Sequence, residues 1–183
     1  MASGNATNSF TMRLIGAAAL DTAIYEEVEA DRGATGQALI VVVLSSLAAG
    51  VGSRGFGTPS VGNVLLVTVI AVIAWAAWAL VTLQIGGRIM PEPQTSVDMG
   101  ELLRTIGFAT SPGLIRVVGI IPAASIPAFA IAAVWMFAAM IVGVRQALDY
   151  QSTARAVWVC FIGWVLSLLV SAVLGLLFSP PVS

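Results

Sequence analysis

VGNVLLVTVIAVIAWAAWALVTLQIGG, Val61–Gly87, runs for 27 residues without a charged side chain. As an α-helix it would be about 40 Å long, more than the ~30 Å hydrocarbon core of a bilayer requires. A strand there would leave its backbone groups unsatisfied in lipid, so helix is the only sensible assignment. The surplus length predicts tilt or extension beyond the lipid. Reading outward, four more apolar stretches reach spanning length: about Thr35–Gly52, Leu102–Ile121, Ile126–Val144 and Ala156–Phe178. The third is interrupted at Ser111-Pro112-Gly113, where Pro112 removes a backbone donor and predicts a kink or break.

Composition agrees. Hydrophobic residues make up 58% of the 183 and charged residues 9%, whereas a soluble domain carries about 25% charge. The expected fold is all-α: a polytopic membrane helical bundle of five transmembrane helices, preceded by a short amphipathic cytoplasmic helix. Residues 1–33 form the cytoplasmic tail and that helix, 34–178 the transmembrane domain, and 179–183 an external tail. Met1 to Ser9 are small and polar, without the basic and apolar regions of a signal peptide, so the first apolar run stays in the membrane. Asp21 is suited to cap a helix ending near Gly33, with Leu20, Ile24 and Val28 on one face.

The eight basic residues are all Arg. Arg13, Arg32, Arg88, Arg104, Arg145 and Arg155 fall on one side of the predicted spans, Arg54 on the other, and Arg116 inside the third. That asymmetry predicts a multi-pass protein of the cell membrane with a cytoplasmic amino terminus and an external carboxyl terminus. A net charge of -1 gives no polybasic attraction for nucleic acid.

With no His and one Cys, Cys160, in an apolar run, the sequence offers no triad, no metal cluster and no disulfide. No catalytic residue, metal or cofactor is expected, and an interfacial enzyme is the weakest of the readings. Three groups stand out instead. Arg116 follows Arg104 by twelve residues, about 18 Å of helix, which places it past mid-membrane. It is expected to snorkel toward the outer face or cap carbonyls freed at Pro112, with an anion or lipid-headgroup site as the functional alternative. Gly163, Ser167, Ser171 and Gly175 recur every fourth residue, a ridge that lets another helix approach closely. Tyr25, Glu26, Glu27 and Glu29 offer a partner surface on the amphipathic helix. Glu101 or Asp149 is expected to pair with Arg104, Arg145 or Arg155 at the interface.

Three stretches together resemble a known family: Tyr25-Glu26-Glu27-Val28-Glu29-Ala30-Asp31, then Glu101-Leu102-Leu103-Arg104-Thr105-Ile106-Gly107-Phe108-Ala109 with Pro112 behind it, and Trp135–Val144 leading into Arg145-Gln146-Ala147-Leu148-Asp149-Tyr150. The chain resembles bacterial members of the Yip1 family over roughly Arg13 to Phe178. The resemblance implies a five-helix integral membrane protein without enzymatic activity. Eukaryotic relatives look like adaptors for Rab-type GTPases, a role that rests on a longer amino-terminal cytosolic region and is not carried over. The expected function is a scaffold, adaptor or accessory subunit whose partners are membrane lipids and other membrane proteins or copies of itself. The alternative is a channel or transporter for a small solute or anion, using Arg116 and the broken third helix.

Overall fold

The computed structural model describes residues 8–56 and 61–178, and their side chains except those of 55, 56, 63, 66, 67 and 167–178. Seven α-helices and no strands occur among the described residues: α1 (Phe10–Ala18), α2 (Thr22–Ala30), α3 (Ala34–Gly52), α4 (Val61–Gln84), α5 (Met99–Phe108), α6 (Ser125–Ala147) and α7 (Thr153–Phe178). Among the described residues, three segments are long and apolar enough to cross a membrane by length and composition: Ala34–Gly52, Thr68–Ile89 and Pro122–Ala147. α7 extends over 26 residues, with its described side chains ending at Leu166.

α3 shows how the bundle is built. Ala38, Val41, Val42 and Ser45 recur at helical spacing and are buried. Leu39, Ile40 and Leu44 on the same helix are exposed. Leu65, Val69 and Ile73 of α4, Val134 of α6 and Trp158 and Phe161 of α7 are exposed in the same way. An outward face this apolar suits hydrocarbon, where water would penalise it.

Where a third spanning helix was expected over 102–121, α5 stops after ten residues at Phe108. The chain continues as a 3-10 helix over Ser111–Ile120, packed between α3 and α6. Ten residues is long for a 3-10 run. Pro112 at its start cannot donate to an α-helical ladder. The far end is locked by close approach, since a Cβ on Gly52 would fall 1.8 Å from the Arg116 carbonyl oxygen. The 3-10 segment therefore ends level with the last turn of α3.

The amino-terminal segment also departs from expectation. Asp21 caps α2 as anticipated, its carboxylate accepting from the Ala23 amide at 3.0 Å. A further helix, α1, precedes it, with the Ser9 hydroxyl accepting from the Met12 amide. Leu20 lies in the turn between them at φ 63° instead of continuing the apolar face. Nor does α2 lie apart on a bilayer surface. It packs against both α5 and α6, burying Ile24, Tyr25 and Val28 in a cluster with Ala38, Val41, Phe108 and Ala139. Trp135 reaches across from α6 to donate to the Ala18 carbonyl at 2.7 Å. The α1–α2 hairpin is thus a component of the bundle.

Candidate functional site

Two buried arginines organise the end of the bundle where α2, α3 and α5 meet. Arg13 of α1 is 1% exposed. Its Nη2 lies 2.8 Å from Glu27 and 2.7 Å from Asp31, its Nε donates to Glu27 at 2.9 Å, and its Nη1 donates to Gln37 on α3 at 3.1 Å. Asn8 donates to Glu27 through both its backbone and its side chain. Burial alone would raise the Glu27 carboxyl, but hydrogen bonds from Asn8 and Arg13 override it and hold Glu27 below the usual range. Asp31 is lowered by hydrogen bonds from Arg13 and the Gly33 amide. Both carboxylates are ionised partners of one cation.

Arg104 of α5 is also buried, but it takes carbonyl oxygens. Its Nε lies 3.0 Å from the Val28 oxygen and 2.9 Å from that of Glu29, and its Nη2 also donates to Glu29. These carbonyls belong to the last turn of α2, which has no intrahelical donors for them and carries the negative end of the helix dipole. The expected pairing of Arg104, Arg145 or Arg155 with Glu101 or Asp149 does not occur. Glu101 and Asp98 instead close a capping box at the start of α5. Arg145 donates to the Tyr150 carbonyl, and Arg155 lies 3.4 Å from Glu92. Long-range packing gave Arg104 and Arg155 acceptors distant in sequence, whereas Arg145 takes a carbonyl five residues ahead of it.

Of the predicted partner surface, Tyr25 is inside: it is 0% exposed, and its hydroxyl donates to the Ala17 carbonyl at 3.1 Å. Burial pushes that hydroxyl's pKa up. Glu27 is taken by Arg13. Glu26 stays exposed and accepts from Gln146 at 3.0 Å. Glu29 is half-buried, and its pKa rises to about 7, first through burial and then through repulsion from Asp149 and Glu101. An open groove of about 1140 Å³ runs along the outer side of the hairpin, past Met12, Ile15, Asp21, Ile24, Glu26 and Ala30.

Arg116 lies in the 3-10 segment and points the opposite way from the snorkelling expectation. Its backbone sits beside Gly52, at the far end of α3. Its side chain folds back one turn, so that Nε donates to the Gly113 carbonyl at 3.1 Å and Nη2 reaches Ser45 Oγ at 3.1 Å and Met136 Sδ at 2.9 Å. Ser45 precedes Gly52 by seven residues, about 10 Å of helix, and Met136 is the central residue of α6. The guanidinium is therefore drawn toward mid-bundle. The Gly113 carbonyl follows Pro112 in the 3-10 segment and is not one that the missing Pro112 N–H leaves free. None of the ion pairs among the described residues includes Arg116, and a thioether is a weak acceptor. Beside it lies a cavity of about 360 Å³, lined by Trp78, Arg116, Phe129, Ala133, Met136, Phe137, Met140 and Trp164. The Trp78 indole N–H is buried without an acceptor among the described residues.

Gly163, first in the predicted small-residue ridge, is buried where α7 meets α4, and a Cβ there would touch the Trp78 ring at 3.0 Å. Ser167, Ser171 and Gly175 lie outside the described side chains. Cys160 is a free, buried thiol. No group of His, Cys, Asp or Glu suited to a metal occurs among the described residues. The sequence reading missed the Arg13 and Arg104 anchors. A basic residue four positions after a capping serine, and another on the buried face of α5, were the available signals.

No curated protein and no solved structure matched the chain. A family model for the Yip1 domain matches residues 22–175, a range that takes in α2, its carbonyl-bound anchor Arg104, the Arg116 cavity and most of α7. This apolar helical chain is a membrane protein and belongs to the Yip1 family.

Proposed function

We propose that this protein is a non-catalytic scaffold, adaptor or accessory subunit that binds other membrane proteins. The observation that carries the reading is the outer side of the α1–α2 hairpin. Met12 and Ile15 are about 60% exposed there, beside exposed Asp21 and Glu26. Arg13 and Arg104 fasten the hairpin from beneath, so this mixed apolar and acidic face is presented in a fixed shape. Preorganisation of that kind lowers the entropic cost of docking a partner.

Five membrane crossings suit the geometry. α5 and the 3-10 segment together cover about 35 Å, at about 1.5 Å per α-helical and 2.0 Å per 3-10 residue. The run of Arg13, Arg32, Arg88, Arg104, Arg145 and Arg155 supports a cytoplasmic amino terminus and an external carboxyl terminus. Membrane-impermeant labelling of a cysteine introduced near each terminus should modify only the carboxyl-terminal one in intact cells.

A photo-crosslinking residue at Met12 or Ile15, followed by purification in mild detergent, tests the docking role directly. A defined partner band at these positions, absent from a control at exposed Val69 on α4, is expected. A monomeric, uncrosslinked particle would remove the scaffold reading.

A further inference from the structure

The hairpin face leaves the Arg116 cavity unused. Arg116 is a cation whose described partners are one carbonyl, one hydroxyl and one thioether, and its Nη1 donates to nothing among the described residues. Trp78, in the same wall, has a buried indole N–H without an acceptor among the described residues. The mouth of the cavity is on the flank of the bundle, where Ala133, Phe137 and Trp164 are exposed. Met136 fixes its height at the centre of α6. In a membrane protein, that height is surrounded by hydrocarbon.

These facts restrict the occupant. Lipid phosphates lie about 15 Å away at either interface. Aqueous anions do not enter from the hydrocarbon side. An acid resident at this depth is most readily carried on a polypeptide, because charges inside membranes pair with one another. A second copy of this chain supplies none there, since its nine acidic residues fall at positions 21–31, 92–101 and 149, outside α3, α4, α6 and α7. The cavity of about 360 Å³ has room for a side chain but not for a helix, which is about 10–12 Å across.

We propose that the cavity receives a Glu or Asp from the middle of a transmembrane helix of a different membrane protein, lying against α6 and α7. The incoming carboxyl pairs as a carboxylate with Arg116, and the partner's apolar neighbours cover Phe137 and Trp164. The inference rests on the scaffold reading and specifies the chemistry of one partner.

The test uses the full chain, fluorescently labelled at its amino terminus, in phosphatidylcholine vesicles. The probe is a Leu/Ala transmembrane peptide with a central Glu, compared with the same peptide carrying Gln. Energy transfer should report association about tenfold tighter for the Glu peptide, the scale of a strong interhelical polar contact. Arg116→Gln should abolish the preference. So should Ala133→Trp, which plugs the exposed rim and keeps the arginine. Equal affinity of the two peptides for the unaltered chain would overturn the proposal, as would a preference that survives both variants. Oleic acid added to the bilayer should leave the preference intact. If oleic acid displaces the Glu peptide from the unaltered chain, the counter-ion is a lipid acid and the proposal falls. Native partners that copurify undiminished with Arg116→Gln would overturn this site and leave the scaffold reading standing. Peptide discrimination by a chain that shows no partner at Met12 or Ile15 would do the reverse.

Discussion

Arg13 and Arg116 are both drawn into the bundle, yet they are handled in opposite ways. Arg13 holds two carboxylates and an amide within one network, and its partners lie on α2, at the Asp31 cap that follows it, and at the start of α3. Its charge is spent on fastening the hairpin. Arg116 has a carbonyl, a hydroxyl and a thioether, none of which neutralises it, and it borders a cavity instead of a packed wall. Removing one partner of a buried ion pair strands the other, whereas removing an unpaired charge relieves a desolvation cost. The two sites should therefore respond to the same substitution with opposite sign.

The largest effect is expected at Arg13→Leu. Glu27 and Asp31 lose their cation together, and the variant should be destabilised by about 3–4 kcal/mol, near the range for a broken buried pair. Thermal unfolding in detergent measures it, and hydrogen exchange should show α1 and α2 opening first. Gly52→Ala comes next. Its Cβ would collide with the Arg116 carbonyl oxygen, and forcing the two backbones apart should cost about 2–3 kcal/mol, as overpacking does. It should also shift the guanidinium and weaken any ligand preference at the cavity. Arg116→Leu should raise stability of the isolated chain by about 1–2 kcal/mol, the gain seen when buried charge is replaced by apolar volume. If Arg116→Leu proved as damaging as Arg13→Leu, the contrast between the two arginines would be lost.

The sequence made some of this legible and concealed the rest for identifiable reasons. Hydropathy alone locates α3, α4 and α6, because an outward apolar face is a property of single helices. Asp21 as a cap is a local effect and was readable for the same reason. The insertion of α1–α2 was not. A short segment rich in Glu reads as interfacial, and the pairs that admit it to the bundle join residues far apart in sequence, such as Arg104 with Val28. Arg116 misled in a related way. Its nearness to Pro122 along the chain suggested an outward path, but Gly113 leaves the space in which the side chain folds back toward Ser45, where a Cβ would fall 2.4 Å from Arg116 Nη2. The small-residue spacing of α7 remains a pattern with one placed member, Gly163.

The smallest expected effect separates the paired from the unpaired acids of α2. Glu27 and Asp31 are held ionised by Arg13, whereas Glu29 faces Asp149 and Glu101, and its pKa is raised from the ordinary 4.5 to about 7. A raised carboxyl favours its protonated form in the folded state. Its contribution to stability is therefore full below about pH 4.5 and is lost as pH rises through about 7. Glu29→Gln keeps the shape and removes the titration. The variant should match the unaltered chain near pH 4.5 and exceed it by about 1 kcal/mol at pH 8, a figure reduced because Glu29 is only half-buried and its repulsions are screened. The advantage should shrink with added salt, since three of its causes, Asp149, Glu101 and Glu26, are like-charge repulsions across partly solvated distances. Melting curves of the two proteins at three pH values would reveal the crossing. A constant difference across that range would mean that Glu29 stays ionised, with Arg104 outweighing burial and all three neighbouring acids.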